Sequence, residues 1–149
     1  LIIAPHVIDE NHLVEIIRKL KRPYVRYTRA DEKNVRKADC LIIDCFGLLS
    51  SIYRYGEIAY IGGGFGVGIH NTLEAAVYGI PVIFGPKYQK FQVLEAKGAF
   101  SVKDYEELKT LLDRMLTDEV FLRESGMNAS NYVTGNAGAT DKIMSMINF

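Results

Sequence analysis

The chain has 149 residues, 48% of them hydrophobic, with 18 basic and 18 acidic side chains. That length suffices for one domain with a real core. No apolar run is long enough to span a membrane, and the balanced charge argues against a general nucleic-acid binder. In chain order, Leu1-Ile2-Ile3-Ala4 predicts a buried strand ending at Pro5-His6. Asp9 is placed to cap a helix over about residues 10–21, with Leu13, Ile16, Ile17 and Leu20 on one face. Pro23 ends that helix, and Tyr24 to Thr28 alternates like a strand. Asp39 to Asp44 carries the apolar core of a third strand, and Leu48 to Tyr55 reads as a short helix stopped by Gly56. A strand over Ile58 to Ile61, a glycine loop, a small-residue helix and a strand over Pro81 to Phe84 follow. Phe91 to Lys97 is expected to be helical, and Ala99 to Val102 a last short strand. Three helices close the chain. One starts at Asp104 with Glu107, one at Asp118 with Phe121, Leu122 and Met127 inward, and one near Gly138 with Ile143, Met146 and Ile147.

Strands alternating with helices predict an α/β fold with a Rossmann-like parallel sheet and helices on both faces. In such sheets ligands sit beyond the carboxyl ends of the strands. Pro5-His6, Asp44-Cys45-Phe46-Gly47 and the glycine loop all fall at such ends. Half of the basic residues lie in one stretch: Arg18, Lys19, Lys21, Arg22, Arg26, Arg29, Lys33, Arg36 and Lys37. They read either as a solvated edge or as a face toward anionic lipid or a phosphorylated substrate. The two cysteines, Cys40 and Cys45, are five apart on one strand and point to opposite faces, so they should not pair. They fit a reducing cytosolic setting, and no zinc spacing occurs. The chain begins at Leu1 inside an apolar strand, without Met, which predicts a piece of a longer protein.

Ile58 to Pro86 is the most informative stretch: IAYIGGGFGVGIHNTLEAAVYGIPVIFGP. Glycines lacking Cβ let main-chain N–H groups approach a ligand, and a helix start behind them favours an anion. The spacing excludes two common nucleotide motifs. The dinucleotide fingerprint G-x-G-x-x-G fails in every register, because Val67, Ile69 or Asn71 occupies the last glycine position. Gly63 to Gly68 has P-loop spacing, but Ile69-His70 replaces the Lys-Ser/Thr that would hold phosphate and magnesium.

What remains is Gly62-Gly63-Gly64, then His70-Asn71-Thr72-Leu73-Glu74, then Gly79-Ile80-Pro81-Val82-Ile83-Phe84-Gly85-Pro86. This pattern resembles the nucleotide-binding half of two-domain (GT-B) glycosyltransferases. Among those it is similar to the 3-deoxy-D-manno-octulosonic acid (Kdo) transferases of lipid A assembly, most densely over Tyr60 to Phe91. The chain departs from the family pattern at several points. Gly64 stands where the family has serine, and Ile69 where it has glycine. Only Pro5-His6 survives of Pro-Arg-His-Pro-Glu-Arg, which removes an arginine. Cys45-Phe46-Gly47-Leu48-Leu49 stands for Thr-x-Gly-Glu-Leu, which removes a glutamate.

The resemblance implies that residues 1–149 form a donor-nucleotide-binding domain, the C-terminal GT-B domain, with the amino-terminal acceptor domain absent. It implies CMP-Kdo as donor and inverting transfer of Kdo to a lipid A precursor, with no cofactor and no metal. The full-length protein is expected at the cytoplasmic face of the bacterial inner membrane. The family keeps its general base, a glutamate, in the acceptor domain, so no catalytic residue is expected here and the piece alone should not turn over. The donor-binding candidates are His6, Phe46, Gly47, Gly63, Gly64, His70, Asn71, Glu74 and Lys90. Several have a second reading. Asn71 and Glu74 are spaced as a capping box, or Glu74 accepts from the ribose hydroxyls, since a carboxylate is repelled by phosphate. Gly63 and Gly64 form a tight turn or touch phosphate or carboxylate. His70 packs in the loop or touches the donor. Phe46 walls the cytosine or supports the loop, and Lys90 meets the Kdo carboxylate. Two rivals stand: a GT-B transferase or epimerase using a UDP-sugar, and a non-catalytic nucleotide-binding module.

Overall fold

Short apolar runs separated by capped helices give a parallel α/β architecture in the computed structural model, which describes residues 1–65, 71–87 and 98–147. The chain divides into two units, Leu1–Ile52 and Tyr53–Phe149. In the first, β1 (Ile2–Ile3), β2 (Tyr24–Arg26) and β3 (Cys40–Ile42) form a parallel sheet in the order β1-β3-β2. Helix α1 (Glu10–Lys19) starts where the Asp9 carboxylate accepts the His12 N–H at 2.9 Å. It stops at Leu20, whose backbone is already extended toward Pro23. The stripe of Leu13, Ile16, Ile17 and Leu20 packs on Ile3, Cys40 and Ile42, and this apolar burial is what seats the helix on the sheet. Strand β2 is shorter than its sequence pattern, because residues 27–29 turn into a 3-10 helix. A one-turn helix α2 (Glu32–Val35) was not foreseen, although Asp31 and Asn34 form a reciprocal capping box. Helix α3 is Leu49–Ile52.

The second unit carries β4 (Ala59–Tyr60), α4 (Leu73–Ala76), β5 (Val82–Phe84), β6 (Ala99–Ser101), α5 (Tyr105–Thr117), α6 (Glu119–Gly135) and α7 (Ala139–Met146). Its sheet is parallel in the order β4-β5-β6. All three residues of the central strand β5 are fully buried, as a strand covered on both faces requires. Val82 and Phe84 face a cluster containing Ala75, Ala76 and Ala129. Ile83 faces the other way, toward Met115, Leu108, Leu112 and Phe121. Helices therefore cover both faces of this sheet, as the alternation of strands and helices predicts.

Two expectations about the closing helices are corrected. Met127 is 54% exposed, not inward. The inward face of α6 is instead Ser125, Gly126 and Ala129, because the helix backbone comes so close that a Cβ on Gly126 would lie 2.1 Å from the Gly79 carbonyl oxygen. No side chain as long as methionine fits that seat. On α7, Ile143 and Met146 are exposed, and so is Ile147 just beyond it. The helix expected over Phe91 to Lys97 lies outside the described residues, as do Gly66 to His70. Among the described residues, no helix is long and apolar enough to cross a membrane.

Candidate functional site

In the second unit β4 and β5 run parallel, so their carboxyl ends open on the same side. The Ile61 N–H donates to the Ile83 carbonyl at 2.8 Å, and immediately beyond lie Gly62-Gly63-Gly64 on one strand and Gly85-Pro86 on the other. Gly63 has φ 100 and Gly64 φ 80, left-handed values that glycine adopts without steric cost. Gly85 is needed for a different reason. A Cβ there would sit 2.6 Å from the Gly63 oxygen and 2.7 Å from the Gly64 carbonyl carbon. The loop is thus pressed main chain to main chain against the end of β5, and the Gly64 carbonyl accepts the Lys87 N–H at 2.8 Å. Gly62 and Gly63 are exposed while Gly64 is buried. Among the described residues, a Cβ on Gly62 would meet nothing within 4 Å.

Asn71 and Glu74 follow at the start of α4. They do not make the capping box that their spacing suggests. The Asn71 Oδ1 accepts the Leu73 N–H at 3.0 Å, and the Asn71 Nδ2 donates to Glu74 Oε1 at 3.0 Å. Glu74 therefore holds a side chain, not the main chain. Thr72, the formal cap, has helical backbone angles and makes no capping bond. Its buried hydroxyl has no hydrogen-bond partner among the described residues. Tyr53 belongs to the same unit. Burial, and next the charge of Glu74, push its phenol above the ordinary range. Because α4 is only four residues long, its dipole is small. His70 and Lys90 lie outside the described residues.

In the first unit the candidates His6, Phe46 and Gly47 follow the carboxyl ends of β1 and β3, which are paired neighbours. His6 is exposed. Phe46 is 81% exposed, so it supports nothing in the core and offers an open aromatic face. Gly47, at φ 87, needs to be glycine for its backbone angle alone. At this edge lies a polar anchor. The Asp44 carboxylate is 1% exposed and accepts from Arg26 Nε at 2.8 Å, the Thr28 N–H at 2.9 Å and the Thr28 hydroxyl at 2.6 Å. Arg26 reaches on to Glu10 with bonds of 2.8 and 3.0 Å. The network ties the ends of β2 and β3 to the start of α1. Burial alone would raise the Asp44 pKa, but the bonds from Thr28 and Arg26 outweigh it and bring the value down to about 2. The same contacts, Asp44 first and then Glu10, raise the Arg26 pKa. Arg26 thus leaves the basic stretch read from the sequence. The other eight cations of that stretch are exposed, and none is in an ion pair among the described residues. Cys40 is buried and Cys45 partly buried, and both are free thiols.

The chain is similar to the 3-deoxy-D-manno-octulosonic acid transferase of Aquifex aeolicus, 42% identical over 87 residues, which covers 54% of this chain and 25% of that protein. It is also similar to the enzyme of the same name from Rickettsia bellii, 33% identical over 116 residues, 73% of this chain and 28% of that protein. A bifunctional glycosyltransferase/methyltransferase from Fusobacterium nucleatum is 30% identical over 148 residues, 89% of this chain and 23% of that protein. The chain spans about a quarter of the length of the curated relatives it matches. Among solved structures it resembles the C-terminal CMP-Kdo binding domain of WaaA from Acinetobacter baumannii. The TM-score is 0.73 and the identity 19%, covering 89% of this chain and 72% of that one. That likeness establishes the fold: the α/β fold with parallel sheets is the fold of that domain. No protein-family model matches the chain.

Proposed function

We propose, from the sequence likeness to Kdo transferases, that residues 1–149 serve as the donor-nucleotide-binding, C-terminal GT-B domain of such an enzyme. The donor is CMP-Kdo and the acceptor a lipid A precursor. One observation carries the reading. The left-handed Gly63-Gly64 loop, clamped by Gly85, lies at the carboxyl ends of β4 and β5, and an oriented carboxylate, Glu74, follows it in the same unit. Loop N–H groups take the CMP phosphate, and Glu74 accepts from the neutral ribose, where its charge meets no repulsion. His6, Phe46, Gly47, His70 and Lys90, with Asn71 beside Glu74, complete the proposed donor set.

Transfer breaks the bond between the Kdo anomeric carbon and the phosphate oxygen. The leaving group is a phosphate anion, and fixed N–H groups stabilise the charge that grows on it. The sugar becomes oxocarbenium-like, and attack from the opposite face inverts the centre. Inversion needs a general base for the acceptor hydroxyl. That base, and the acceptor site, belong to the rest of the longer protein, which works at the cytoplasmic face of the inner membrane. The exposed cations between Arg18 and Lys37 suit an anionic surface of that kind.

A titration followed by NMR tests the reading. CMP should bind this chain, bind more tightly than UDP, and shift the signals of Gly63, Gly64 and Glu74. Tighter binding of UDP assigns the chain to the UDP-sugar relatives, and binding of no nucleotide assigns it to a non-catalytic module. Kdo transfer by the 149-residue chain alone contradicts the assignment of the base to the rest of the protein.

A further inference from the structure

We propose that Asn71 is a positioning residue for Glu74: by holding Oε1 it turns Oε2 toward the pentose hydroxyls of the nucleotide, and so sets ribose recognition without touching the donor itself. The inference rests on the reading that Glu74 binds ribose. Its support is the engagement of both ends of one short side chain. The Asn71 Oδ1 accepts the Leu73 N–H at 3.0 Å, and its Nδ2 donates to Glu74 Oε1 at 3.0 Å. The orientation of the amide is fixed by chemistry. A flipped amide would set its oxygen against the carboxylate and its NH2 against an N–H, two repulsive contacts in place of two bonds.

The arrangement restrains a side chain that would otherwise be loose. Glu74 is the second residue of a single-turn helix and only partly buried. A glutamate there samples several rotamers, and ordering it on binding weakens affinity. Asn71 removes part of that freedom beforehand. The bond engages Oε1, and among the described residues Oε2 accepts no hydrogen bond.

The test compares CMP with 2′,3′-dideoxy-CMP by calorimetry on the 149-residue chain, in wild type and in Glu74→Gln, Asn71→Asp and Asn71→Ser. Asn71→Asp keeps an acceptor for Leu73 but sets a like charge beside Glu74. Asn71→Ser removes the reach to Glu74 without adding charge, and it decides the question should the aspartate variant fail to fold. Wild type should prefer CMP by about tenfold or more, the size expected of hydroxyls bonded to a charged acceptor. The preference should collapse toward one in Glu74→Gln and in both Asn71 variants. If Glu74→Gln loses the preference while the Asn71 variants keep it, the positioning role is wrong and ribose binding by Glu74 stands. If Glu74→Gln keeps the preference, the ribose reading fails and takes the positioning role with it. Equal weakening toward both nucleotides in the Asn71 variants also overturns the proposal, because Asn71 would then act on another part of the ligand.

Discussion

The carboxyl ends of the strands are held in two different ways in the two units. In the first, the end of β3 is anchored by side chains, with Asp44 buried among Arg26 and Thr28, and Arg26 in turn bonded to Glu10. In the second, the ends of β4 and β5 are held by bare main chain, with Gly85 against Gly63 and Gly64. The first device is electrostatic, so protons can loosen it. The second is steric and indifferent to pH, but a single methyl group breaks it. A strand end built of charges stays firm under exposed residues such as Phe46. A strand end built of glycines lets two main chains touch with no side chain between them.

The sharpest way to break the contrast is Gly85→Ala. Its Cβ would fall 2.6–2.8 Å from Gly63, Gly64 and Phe65, and two of those atoms are backbone that cannot swing aside. We expect a loss of about 3 kcal/mol in urea denaturation, together with loss of CMP binding. Asp44→Ala should cost somewhat less, about 2–3 kcal/mol, since Arg26 retains Glu10 as a partner. Its effect on CMP binding reports whether the first unit's strand ends take part in the site.

Acid sharpens the comparison with a smaller effect. The Asp44 pKa is about 2 in the folded chain against an ordinary value near 3.9. Its contribution to stability is therefore fully present above about pH 4 and is lost as pH falls from there toward 2, roughly 2 kcal/mol in all. Asp44→Asn should flatten that part of the stability–pH curve, and Gly85→Ala should leave its slope unchanged. The smallest effect is expected at Thr72, whose buried hydroxyl has no partner among the described residues. Thr72→Val should be neutral or stabilising by up to about 1 kcal/mol in thermal melts. A clear destabilisation would show that the hydroxyl is in use.

Features carried by local pattern were legible in the sequence. Asp9, Asp104 and Asp118 each cap the helix expected after them. The apolar runs became strands because an unbroken apolar run suits a strand buried on both faces, as at Val82-Ile83-Phe84. Features that rest on pairs distant in the chain were not legible. Nothing local says that Arg26 will meet Asp44, 18 positions on. Its charge made it look like one more member of a basic stretch. Met127 looked inward because helical periodicity locates an apolar face but not the depth of the seat, which two backbones in contact decide. Asn71 and Glu74 were correctly paired by spacing. Spacing could not distinguish a bond to main chain from a bond between side chains. Gly63 and Gly64 were singled out for lacking a Cβ, and their left-handed angles give that a cause, whereas the matching requirement at Gly85 is invisible until β4 and β5 are laid side by side.

The middle of α6 touches two strand entries at once. Its Gly126 lies against the Gly79 turn that leads into β5, and a Cβ on Gly98, at the foot of β6, would come within 2.1 Å of the Ser125 oxygen and 2.7 Å of the Ala129 nitrogen. With no side chains between these backbones to absorb a shift, the helix works as a gauge block. Sliding it along its axis would move the roots of both strands in the same instant, so slow amide exchange should fade at all three places together rather than one after another.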